Sequence, residues 1–121
     1  MDQFVPHVSE SDVERIIQRE LPLEEQEGIR EIIRRLEVRE KARVVLACLK
    51  NSGGDIAKLK RDLAEASGYY REHIGEAEYP NYVKKIFRID KLSEAEIAGI
   101  MGQDKNQYLE WLYREKTDAE R

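Results

Sequence analysis

Residues 55–79 read DIAKLKRDLAEASGYYREHIGEAEY, and their spacing decides the fold. At helical spacing Ile56, Leu59, Leu63, Ala66, Tyr69, Tyr70, His73, Ile74 and Ala77 fall within one arc of about 140°. Lys60, Arg61, Glu65, Arg71, Glu72 and Glu78 lie outside that arc. The pattern predicts one long amphipathic helix with a core-facing stripe. Gly68 and Gly75 sit on the wet side, where each costs roughly 1 kcal/mol relative to Ala without opening a hole in the packed face. The helix is therefore expected to run through both. Asn51-Ser52-Gly53-Gly54 marks a stop before it, Asp55 is suited to accept from its first free N–H groups, and Pro80 disfavours helical geometry at Tyr79.

Upstream, Val38, Ala42, Val45, Leu46 and Leu49 form a stripe, and Val44 to Leu49 is apolar nearly all round. A helix apolar on every side belongs in the core. Residues 38–50 thus pair with 55–79 as an antiparallel hairpin. Ile29, Ile32, Ile33 and Leu36 share a face rotated about half a turn from the following stripe, so residues 23–50 form either one kinked helix or two. Ser11-Asp12-Val13-Glu14 fits a capping box before Val13, Ile16, Ile17 and Leu21, a helix ended by Pro22. Residues 1–8 read as a loose segment with Phe4, Val5 and Val8 as docking side chains. Beyond Pro80 a short helix is expected over 81–90. Ser93 and Glu96 form a second capping box, on a helix that Gly102 ends, and a last helix spans 104–116 before a frayed tail, 117–121. The expectation is an all-α chain, 1–121 as a single domain, with about six helices bundled around a central antiparallel pair.

Charged residues make up 38% of the 121 positions, and the net charge is −4. Such a balance predicts heavily charged helix faces but no general attraction to nucleic acid or anionic membranes. A single cysteine forms no internal disulfide. With neither a signal core nor a long apolar run in the sequence, a cytoplasmic protein with no membrane partner is expected.

Chemistry-bearing residues are few. Cys48 lies in the most apolar run, where a thiol stays protonated and inert. His73 falls on the buried arc, and His73-x-x-Glu76 alone lacks the second motif and extra carboxylates of a four-helix di-metal centre; it reads as a core histidine bonded to a neighbour. Tyr70, Arg71, Glu72 and His73 concentrate polar groups within a short span, enough to line a pocket for a small anion or amide. Gly53-Gly54 lacks the spacing of a phosphate loop. No catalytic residues, cofactor or metal are expected, and the chain reads as a non-enzyme.

Ala98, Gly102, Tyr108 and Trp111 have the spacing of a helix-turn-helix, and Lys84, Arg88 and Lys91 offer phosphate contacts beside it. Residues 91–121 nevertheless carry five basic against seven acidic side chains, which opposes phosphate neutralisation.

The run Val45-x-x-x-Leu49-Lys50-x-Ser52-x-Gly54-Asp55-x-x-x-Leu59, then Tyr70-Arg71-Glu72 and Ala77-Glu78-Tyr79-Pro80, resembles small uncharacterised bacterial all-helical proteins whose hairpin ends in Ala-Glu-Tyr-Pro. The resemblance covers residues 38–80 and implies a bacterial source and a helical hairpin core. It carries no activity. In that family acids flank the Tyr-Arg pair, whereas here Tyr69 precedes Tyr70, so no shared polar role follows. Pro80 is expected to set the exit of the long helix, Tyr79 to cover the corner, and Glu78 to bond free N–H groups or Arg71.

The leading expectation is a non-enzymatic protein-protein interaction module, self-associating as a homodimer through Tyr82, Phe87, Trp111 and Tyr113 on short peripheral helices. The alternative is a helix-turn-helix-like nucleic-acid binder through residues 81–113. A small-molecule pocket around Tyr70 and His73 comes third.

Overall fold

The computed structural model describes residues 4–85 and 90–115, and within them the chain is all-α. Six helices follow in order: α1 (Glu10–Glu20), α2 (Leu23–Arg35), α3 (Lys41–Ser52), α4 (Ile56–Glu78), α5 (Pro80–Lys85) and α6 (Glu94–Tyr113). α3 and α4 share the most extensive contact, and α1 also packs against α3. Val44 through Leu49 are at most 2% exposed, so α3 is surrounded as its all-round apolar sequence requires. Val13, Ile16 and Ile17 from α1, Ile29 from α2, Leu59, Leu63 and Ala66 from α4, and Tyr108 and Leu112 from α6 join it in one core.

Local signals explain most boundaries. Asp55 caps α4 by accepting the Lys58 N–H at 3.1 Å. Gly53, at φ 59°, takes the left-handed position that closes α3. The first capping box differs from expectation: Ser9, not Ser11, is the N-cap of α1, and its N–H donates to Asp12 at 3.0 Å. Asp12 thus takes the role assigned to Glu14, and Glu14 is released to bind Arg30. Pro22 separates α1 from α2 as expected. Residues 23–50 form two helices, since Leu36 is extended at φ −74°, ψ 129° and Glu40 is left-handed at φ 49°. Val38 packs on the core from that connection rather than from α3.

Two elements depart from the periodicity. α4 is bent: Tyr69 has φ −123°, ψ 28°, and its side chain is 57% exposed instead of lying on the buried arc. The bend follows the Ser67-Gly68 pair, a common cause of kinks, and Ser67 Oγ donates to the Glu37 carbonyl at 3.1 Å. Conversely, α6 runs unbroken through Gly102, which was expected to end it. A terminating glycine takes positive φ, and only Gly53 and Gly54 among the described glycines do so. The turn that the helix-turn-helix spacing requires is therefore absent. Asp104, expected at the start of the last helix, is fully buried in α6 and accepts from Asn81 N–H, Asn81 Nδ2 and Tyr82 N–H at 2.8–3.1 Å. It caps α5. The expected helix over 81–90 is described only to Lys85, and residues 86–89 and 117–121 lie outside the described residues.

The N-terminal segment docks through Phe4, whose ring meets Tyr108 edge-on at 6.1 Å and whose carbonyl accepts the Tyr79 hydroxyl. Val5 remains exposed.

Candidate functional site

Where α6 ends, Arg15 Nη1 donates to the Leu112 carbonyl at 2.6 Å, and Arg19 Nη1 to the Arg114 carbonyl at 2.7 Å. Guanidinium groups there satisfy free carbonyls and suit the negative end of the helix dipole. Both come from α1, so they also fix α6 against it. Beside this junction lies a groove of about 890 Å³, lined by Arg15, Arg19, Arg30 and Arg114 together with Leu23 and Tyr113. Leu23 is 82% exposed and Tyr113 62% exposed, an unusual pair of large apolar surfaces on one rim. Arg15 lies over the Tyr113 ring at 5.7 Å, and Arg19 over Trp111 at 5.3 Å. Glu20 accepts from both Arg19 and Arg114 at 2.9 Å. Arg30 binds Glu14 through two nitrogens, at 2.6 and 3.0 Å, and holds that carboxyl below its ordinary range, with Gln18 adding a hydrogen bond.

A second groove, about 590 Å³, runs between α3, the outer limb of α4 and α5. Tyr70, Arg71, Tyr79 and Tyr82 line it with Arg39 and Arg43. At its edge Arg43 makes a two-nitrogen pair with Glu78, at 2.7 and 2.8 Å. Glu78 is fully buried, and burial pushes its carboxyl up against the opposing pull of Arg43. Glu78 thus pairs with Arg43 on α3 and not with Arg71, its expected neighbour. Arg71 reaches only the Tyr70 hydroxyl, at 3.2 Å, and neither Arg39 nor Arg71 has an acidic partner among the described residues.

The expected polar cluster is therefore divided. Tyr70 and Arg71 face this groove, Glu72 is exposed, and His73 is buried and absent from the groove lining. Among the described residues His73 Nε2 has no hydrogen-bond partner, contrary to the bonded core histidine expected. Of the expected contact residues, Tyr82 lines the second groove and Tyr113 the first, whereas Trp111 packs against the core beside Tyr108 at 5.8 Å. Phe87 lies outside the described residues. Lys84 and Lys91 are exposed, and Arg88, the phosphate contact between them, is also outside the described residues. Leu23 and Arg39 were missed. A signal for Leu23 existed: it stands off the Ile29, Ile32, Ile33 and Leu36 face by more than a quarter turn, so nothing in its own helix covers it.

Compared with protein-family models, with curated proteins and with solved structures, the chain finds no match.

Proposed function

We propose that the chain is a non-enzymatic interaction module that associates with a second copy of itself through the groove between α1, the start of α2 and the end of α6. The observation that supports this most is the exposed pair Leu23 and Tyr113 on the rim of a groove whose other lining residues are all polar or charged. The four arginines of the groove are each paired to an acid, Arg15 with Asp12, Arg19 and Arg114 with Glu20, and Arg30 with Glu14, so the apolar projection of Leu23 and Tyr113 rather than free charge is what a partner would cover. An exposed apolar side chain beside a groove on the same chain suits a two-fold interface in which each copy inserts its Leu23 into the other. Light scattering after size-exclusion chromatography, at rising concentration, should give a mass approaching two chains. Leu23→Glu should hold it at one chain, and Tyr113→Ala should weaken the association. A single-chain mass at every concentration would sink this reading.

A second reading rests on the other groove: Arg39 and Arg71, without acidic partners among the described residues, flank Tyr70, Tyr79 and Tyr82 in a setting suited to a small aromatic or phosphorylated anion. Its test is a thermal shift with such anions, reduced in Arg71→Ala. Nucleic-acid binding through residues 81–113 has less support, since its turn is replaced by continuous helix.

A further inference from the structure

Eleven residues of straight helix advance about 16 Å, so Asp62 and His73 would stand far apart if α4 ran unbroken. Its bend at Tyr69 changes that. One ligand atom each from Asp62, Glu65 and His73 lies within 4.8 Å of the other two. Asp62 is 5% and His73 8% exposed, whereas Glu65 opens to solvent. Nε2 of His73 is buried with no hydrogen-bond partner among the described residues, a desolvated polar atom left uncompensated there. The second limb of α4 is held in place from α3, where Asn51 Nδ2 donates to the His73 carbonyl at 3.0 Å.

We propose that Asp62, Glu65 and His73 bind a divalent first-row transition-metal ion across the bend of α4. Two carboxylates match the charge of a dication, and the imidazole favours Zn2+ or a similar ion over Mg2+ and Ca2+, which take oxygen ligands. Asp62 is already oriented: Oδ2 accepts from Lys58 Nζ at 2.9 Å, while Oδ1 makes no hydrogen bond among the described residues, with Arg61 Nε at 3.9 Å. Lys58 and Arg61 oppose the ion's charge, so three protein ligands beside two cations make a site of moderate affinity, completed by water on the Glu65 side. A bound ion joins the two limbs of α4 and opposes straightening at Tyr69.

The test is calorimetric titration of the metal-free chain with ZnCl2, with MgCl2 in parallel, backed by melting temperature. One equivalent of Zn2+ should bind and raise the melting temperature, and Mg2+ at equal concentration should do neither. Loss of an outer-shell partner weakens metal sites roughly ten- to hundredfold, so Glu65→Gln, which removes a direct but exposed ligand without disturbing the core, should weaken Zn2+ by at least about tenfold. His73→Gln should weaken it further, and His7→Ala, altering the other histidine, should leave it unchanged. Absence of saturable Zn2+ binding by the native chain would overturn the proposal. So would binding undiminished in Glu65→Gln, or lost in His7→Ala.

Discussion

Cys48 is fully buried, and that burial, reinforced by the nearby Asp62 carboxylate, pushes its thiol up to about 12 from an ordinary 9.0. Such a thiol should resist alkylation in the folded chain and react only after unfolding. Its linkage to stability has a definite sign. The folded value lies above the unfolded one, so the contribution is complete below about pH 9 and is lost as pH rises toward about 12. Urea unfolding of native chain and Cys48→Ala across that window should show the native chain losing more stability per pH unit. Parallel curves would contradict the burial argument. Arg43 and Glu78 provide a second residue-scale test. Removing one partner of a buried ion pair strands the other charge, at a cost of about 3–5 kcal/mol, whereas replacing both with apolar groups of similar size is often neutral. Arg43→Met should therefore strand fully buried Glu78 and lower the urea midpoint sharply, whereas Glu78→Ala leaves Arg43 its pair with Glu40 and should cost less; Arg43→Met with Glu78→Leu should recover most of the first loss.

At the scale of the element, α6 and α4 teach opposite lessons about glycine. Gly102 is helical, and a Cβ placed on it meets nothing within 4 Å. Gly102→Ala should thus stabilise the protein by about 1 kcal/mol through helix propensity and a less flexible unfolded chain. A turn there would need positive φ, and the same substitution would then destabilise, so the sign of the change in urea midpoint distinguishes a continuous helix from a helix-turn-helix. Gly68 belongs with Ser67 at a real break. The two sites look alike in sequence because each is a glycine within an otherwise helical pattern. Their difference comes from what the flanking residues meet: Ser67 bonds the connection between α2 and α3, whereas Asp104, two positions beyond Gly102, must stay helical to cap α5.

Across the whole molecule, one core cluster joins α1, α2, α3, α4 and α6, with Trp111 packed at its edge. A chain built this way should unfold as one unit. Loss of far-UV circular dichroism and the change in Trp111 fluorescence should share a single midpoint, and an earlier fluorescence transition would mean that α6 detaches first. Much of this architecture was legible in the residues. Helical class, the burial of Val44 to Leu49, the Asp55 and Ser93 caps and the break at Pro22 all follow from hydrogen bonds and periodicity within a few positions of chain. Grooves and clusters were not legible, because they depend on partners distant in sequence. Arg15 and Arg19 reach the end of α6, Asp104 reaches the start of α5, and Arg43 rather than Arg71 meets Glu78. Local sequence determined which segments are helical and which faces are apolar, since those properties are settled within a turn or two of backbone. Only the tertiary structure decided that α4 bends at Tyr69 and brings His73 back to Asp62 and Glu65, because near-equal local preferences at Ser67 and Gly68 are resolved by long-range packing.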